Sequence, residues 1–266
     1  MLESILSLPQ EKIPSLLTVL YSSLEQKHIL IDLYGTHLSK YLAERGWNGS
    51  LLPASVDSDY LYVVNANVGG TKSNYYVKNS MNYAVSSKTS DGVMRGELEL
   101  TYENTQSNAD WPGGPYKDYV RVLVQDGSKL TGAFLMGGQE ATTVISGGLD
   151  VKGAASGVNI FDKVAITKVG RYTSFEYLFV VSPQEKVSLI FGYDLPAGLS
   201  AKKDGNEYNL IWQKQPGTQN DSIRFMFASP FGTKISQSTP DGTVTDNVYE
   251  FKSVLNSDLR VTLNYR

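Results

Sequence analysis

Residues 60–64, Tyr-Leu-Tyr-Val-Val, are apolar on both alternating faces. As a strand this run must be covered on each side, so it belongs inside a sheet rather than at its rim. It leads through Asn65, Asn67, Gly69, Gly70, Thr71, Lys72, Ser73 and Asn74 straight into another apolar run at Tyr75. No linker fits in so short a polar turn, so the stretches on either side are expected to pack against each other.

Ahead of this pivot the spacing is helical. Ile13, Leu16, Leu17, Leu20, Tyr21 and Leu24 predict one helix over 9–26. The aliphatic run 28–34 predicts a short strand. A second helix is expected over 36–45, with Thr36 as N-cap, Gly46 as C-terminal cap and Trp47 folding back. Helix, strand, helix, strand in this order looks like the closing portion of an α/β domain.

After Asn74 the period becomes two. Tyr75, Val77, Met81, Tyr83 and Val85 alternate with polar residues, Asp91-Gly92 marks a turn, and Met94, Leu98, Leu100 and Tyr102 alternate with Glu97, Glu99 and Glu103. Further strands are expected at 119–125, 172–181, 187–193, 208–212, 223–227, 248–251 and 259–265. Residues 126–158 are glycine-rich, weakly patterned and assigned to mobile loops. The expected fold class is α+β: a small N-terminal α/β portion (1–70) packed on a mainly antiparallel β-sandwich (71–266).

Composition narrows the function classes. A formal net charge of -3 gives no general attraction to phosphate backbones, so nucleic acid is not an expected partner. The absence of cysteine removes disulfides and thiolate metal sites. No apolar run reaches the roughly 20 residues that span a bilayer, so no membrane contact is expected from these residues. The first residues lack the basic start and apolar core of a signal peptide.

The polar turn is the candidate site. Thr71-Lys72-Ser73 after Gly69-Gly70 fails as a phosphate loop, because Thr71 and Ala66 stand where the motif needs glycines. Asn65, Asn67, Lys72, Ser73 and Asn74 gather amides, a hydroxyl and an ammonium at one strand end, where a carboxylate, phosphate or sugar hydroxyl could be held. The structural alternative is that the asparagines satisfy open backbone groups of the turn. Glu97, Glu99 and Glu103 read as a solvated face rather than paired glycosidase acids. His28 and His37 carry no mark of a base or ligand. Asp57-Ser58-Asp59 and Asp241-Gly242 read as turns rather than calcium loops. The polar run 213–218 contains Pro216-Gly217, a type II turn signature, and reads as a hairpin connection. No catalytic set, metal site or cofactor is expected.

Several stretches, in order, resemble the bacterial domain-of-unknown-function family four-thousand-twelve. They are 25–29 with Gly46-Trp47, 59–61 through 67–70, 72–77, Trp111-Pro112-Gly113-Gly114-Pro115-Tyr116, and 213–218. The resemblance implies the C-terminal extracytoplasmic portion of a membrane-anchored envelope protein, with targeting and membrane segments upstream. It implies a noncatalytic module presenting a binding or support surface, with an envelope glycan or another envelope protein as partner. The alternative is an accessory part of an envelope phosphoglycan transferase or hydrolase. Family members often carry Asp where this chain has Asn65, which argues against acid–base chemistry at that position.

Overall fold

A computed structural model of the chain describes residues 9–87, 92–137, 157–199, 206–230 and 232–266. Two helices, α1 (Ile13–Glu25) and α2 (Leu38–Glu44), precede the strands. These are β1 (Asp59–Asn67), β2 (Val77–Ser87), β3 (Met94–Asn104), β4 (Tyr116–Gln125), β5 (Lys129–Met136), β6 (Val158–Asn159), β7 (Ala165–Val169) and β8 (Tyr172–Val181), followed by β9 (Lys186–Asp194), β10 (Asn206–Gln213), β11 (Ser222–Ala228), β12 (Ile235–Thr239), β13 (Thr243–Thr245), β14 (Val248–Val254) and β15 (Leu259–Tyr265).

The fold is α+β, with a helical N-terminal segment on a sandwich of two sheets. One sheet runs β12-β15-β10-β1-β4-β8-β7 and the other β13-β14-β11-β2-β3-β9-β5-β6. Among the described residues only two ladders are parallel, β1 with β10 and β2 with β11. The alternation in β3 buries Leu98, Leu100 and Tyr102 between the sheets and turns Glu97, Glu99 and Glu103 away. Their inner faces share one core with Val120, Val122, Phe175, Leu189, Phe191 and Trp212.

β1 lies between β10 and β4, inside the first sheet, as its two-faced apolarity requires. Residues 59–67 therefore belong to the sandwich. Of the described N-terminal residues only the helical segment has a cluster of its own, Leu24, Leu42 and Trp47 with Ile31 packed on it. Residues 28–34 are not a strand. Ile31 donates its amide to the Trp47 carbonyl, and among the described residues no partner strand lies alongside to complete a ladder. The cap at Gly46 forms as expected: Gly46 is left-handed at φ 66°, and the amides of Gly46 and Trp47 bond the carbonyls of Ala43 and Leu42. Trp47 folds back between Tyr21 and Tyr41, edge-on to both.

Two further expectations change. Tyr75 is exposed, because Ser73–Tyr75 is a 3-10 turn and the alternation begins only at Val77. Within 126–158 a strand, β5, pairs with β9, while the loop expectation for 138–156 lies outside the described residues.

The helical segment is fastened to the sandwich by a partly buried ion pair. Lys27, at φ 57° just past α1, places its ammonium 2.7 Å from Asp258 Oδ1 and donates to the Lys214 carbonyl at 3.2 Å. Burial pushes the Lys27 ammonium down, and Asp258 opposes that. Lys27→Ala leaves Asp258 with only the Lys214 backbone amide, at 2.8 Å, and is expected to loosen the segment. The cost falls toward the lower end of the roughly 3–5 kcal/mol for breaking a buried pair, since Asp258 keeps some solvent. Hydrogen exchange checks this: amides of 13–47 should exchange faster while those of β1, β4 and β10 stay protected.

Candidate functional site at the end of the central strand

β1 emerges from the core at its C-terminal end. Asp59 through Val63 are buried and Val64 through Asn67 half-buried. Its parallel partner β10 ends at Gln213, opposite Tyr62. From there a side chain continues the ladder: Gln215 Oε1 accepts the Asn65 amide at 2.8 Å and Gln215 Nε2 donates to the Asn65 carbonyl at 2.9 Å. The polar run 213–218 is thus built into the end of the sheet, and Gly217 takes the positive φ its turn requires, but the run crosses from β10 in one sheet to β11 in the other and does not close the expected hairpin.

The predicted site residues divide. Asn67 Nδ2 donates to the Thr71 carbonyl at 2.8 Å and to Asn74 Oδ1 at 3.3 Å, and its Oδ1 accepts the Gly69 amide at 3.0 Å. Ser73 is buried and accepts the Thr71 hydroxyl at 3.0 Å. Asn67, Ser73 and Asn74 are therefore brought together, but in a turn that largely satisfies itself. Asn65 points inward, where its Oδ1 accepts the Tyr102 hydroxyl at 2.8 Å. Lys72 is exposed, and its backbone amide bonds the Pro112 carbonyl at 2.7 Å.

Behind Asn65 lies a group of ionisable residues that the sequence reading missed. Asp118, opposite Asn67 in the β1–β4 ladder, is fully buried, and neither carboxylate oxygen has a partner at hydrogen-bonding geometry. Burial pushes it up to about 7, with the Tyr116 hydroxyl and the Ala66 amide offsetting only part of that. Asp221 is also raised by burial, against the pull of Thr218, Asn79 and Lys214. Lys214 is buried too, lowered by burial, and donates to the Gln215 carbonyl at 3.0 Å. The Tyr102 hydroxyl is driven far up, first by burial and then by Asp118, Tyr116 and Asp221. Asp118 had a signal: it interrupts the inward stripe Tyr116, Val120, Val122, Val124 with a charge. Asp221 and Lys214 had none, since they lie in turn sequence.

Between the sheets Asn65, Asn79, Tyr102, Trp212, Gln215 and Asp221 line a cavity of about 10 Å³. The Trp212 indole N–H and Asn79 Oδ1 both border it without a protein partner. That volume suits one water molecule. The arrangement can keep a carboxyl protonated near neutral pH and link it through tyrosine and amide groups. It offers no room there for a substrate.

A second buried acid, Asp59, sits at the other end of β1. It accepts the hydroxyls of Tyr83 at 2.5 Å and Tyr208 at 2.6 Å, and the Tyr60 amide at 2.8 Å. Burial raises it to about 6 despite these bonds. Among the described residues no group of three or more His, Asp or Glu side chains could hold a metal ion. No described helix is long and apolar enough to cross a membrane.

The fold and site define a two-sheet sandwich with a docked helical segment and a buried acid–tyrosine end. No protein-family model and no curated protein matches the sequence. Among solved structures the chain is similar to a Legionella pneumophila protein with the working description of nutrient binding. That likeness has 12% identity and a TM-score of 0.39, over 77% of this chain and 70% of that one. It is also similar to leukotriene A4 hydrolase from Saccharomyces cerevisiae, at 10% identity and a TM-score of 0.38, over 73% of this chain and 30% of the hydrolase. At these scores the likenesses decide neither fold nor activity.

Proposed function

We propose that this chain is a noncatalytic extracytoplasmic module of a membrane-anchored bacterial envelope protein, with the helical segment as its binding surface and the sandwich as support. The observation that carries this reading is the apolar exterior of that segment. Leu17, Val19, Tyr21, Tyr34, Leu38 and Tyr41 are all exposed, Tyr34 at 97%, and of the α1 stripe only Leu24 is buried. Single exposed apolar residues are ordinary, but this many on one short docked segment mark a surface for another protein. The Lys27–Asp258 pair supports the reading by holding the segment in place. The envelope location rests on the family resemblance.

Site-specific photocrosslinking in the full-length protein tests it. A crosslinker at Leu17 or Tyr34 is expected to give protein adducts in cells, and one at exposed Lys129 on β5 is not. Equal adducts from all three positions, or none from the helical ones, would sink the surface. Cleavage or transfer of an envelope glycopolymer by the isolated chain would sink the noncatalytic reading in favour of the transferase or hydrolase alternative.

A further inference from the structure

Among the described residues, the outer face of the first sheet is covered only in part. Leu52 and Ala54 lie over Tyr60, Tyr62, Leu123, Tyr172 and Ile211 at its middle. On the β12–β15 flank the outer face is polar. The register sets out two rows across three strands there: Gln237 opposite Asn264 opposite Glu207, and Thr239 opposite Thr262 opposite Asn209. Neighbouring strands stand ~4.8 Å apart, so each row presents hydrogen-bonding groups at regular steps.

Along β12 these rows border a groove of about 450 Å³, lined by Gln237, Ser238, Thr239, Thr262 and Asn264, with Ser236 and Asp241 completing its wall. The groove is shallow and open to solvent along its length, which suits an extended ligand laid on it more than one enclosed by it. Thr262 spends its hydroxyl on Asn209 Oδ1 at 2.8 Å, and Ser236 spends its own on the Asn264 carbonyl. The side chains of Gln237, Ser238, Thr239 and Asn264 make no hydrogen bond within the described residues, in contrast to the self-satisfied turn at Asn67.

The chemistry selects an occupant. Among the described residues no lysine or arginine lines the groove, so a phosphate or carboxylate ligand finds no counter-charge, and Asp241 repels it. No aromatic ring among the described residues lines it either, so a flat apolar ligand finds no platform. Neutral donors and acceptors remain, both kinds on each amide and hydroxyl. We infer that this groove binds a neutral oligosaccharide, laid along β12 with its hydroxyl and acetamido groups on Gln237, Thr239 and Asn264. This site is separate from the helical surface proposed above and stands or falls without it.

The experiment is an amide-resolved NMR titration of the whole chain with chitotetraose as the neutral probe and glucose 6-phosphate as the anionic one. Chitotetraose is expected to shift the amides of 236–241 and 262–264 in a dose-dependent way that added salt leaves unchanged. Removing two neutral hydrogen-bonding side chains, Gln237→Leu with Asn264→Leu, should weaken binding about tenfold or more. Thr239→Val, which keeps shape and loses the hydroxyl, should weaken it by a smaller factor and serves if the double variant misfolds. No shifts at these amides, shifts confined to other surfaces, or unaltered binding by the variants would overturn the site. A stronger response to glucose 6-phosphate at the same amides would overturn the neutral class.

Discussion

Shortening Trp212 to alanine is expected to destabilise the chain by about 3–5 kcal/mol, the cost of emptying a well-packed aromatic site. Trp212 is fully buried between the sheets, edge-on to Tyr83 at 6.1 Å between ring centres. β10, which carries it, is gripped by β1 on one side and β15 on the other, so the backbone cannot close over the gap. Its indole N–H has no protein partner, so the loss comes from transfer and cavity terms rather than from a broken hydrogen bond. Trp212→Phe should therefore cost much less, while Trp47→Ala should act mainly on the helical segment. Thermal melts of the three variants check the ordering. Wild-type melting of Trp212→Ala would contradict the packing described here.

Stability is expected to fall as pH rises from about 4 to about 7, contrary to the behaviour of a protein whose carboxylates are stabilised by folding. Asp59 is raised to about 6 and Asp118 to about 7, both first of all by burial. An unfolded aspartate titrates near 3.9, so within this window the folded chain holds protons that the unfolded chain has released. The unfolded state then binds fewer protons, and unfolding becomes easier with each step in pH until both groups are ionised. At 1.36 kcal/mol per pKa unit the combined change is of the order of several kcal/mol. Asp118, raised further than Asp59, should dominate. Asp118→Leu removes the charge at similar volume and is expected to raise stability at pH 8 and flatten the slope. Asp59→Leu leaves two tyrosine hydroxyls without their acceptor and is expected to destabilise at every pH. Denaturant titrations at pH 5 and pH 8 decide the matter. Higher stability at pH 8 for the wild-type chain would refute the sign.

These two results concern residues of opposite legibility. Trp212 follows an alternating apolar run, and its burial can be read from period and size alone. Asp118 breaks such a run, and that break was the mark of a special site. The candidate turn was legible as a polar cluster, yet whether Asn67 faces a ligand or its own backbone depended on where the chain after Gly69 returned. The Asn67 bond to Thr71 shows that it returned onto the asparagine itself.

Local chemistry by itself determined the period-two strands, the interior character of residues 60–64, the cap at Gly46 and the burial of both Trp47 and Trp212. Each depends on a residue and its neighbours within a turn or two. Only the tertiary structure decided the rest. The parallel pairing of β1 with β10 joins residues roughly 150 positions apart, and no local preference encodes such a partner. Residues 28–34 have strand-like composition, but they are held against Trp47 and join neither sheet. The apolar stripe of α1 has helical spacing, but spacing does not say what covers it, and here most of it faces outward. The burial of Asp118 within β4, and of Asp221 and Lys214 in the turn after β10, likewise arises from two sheets closing over them, because desolvation depends on everything packed around a charge and not on its place in the chain.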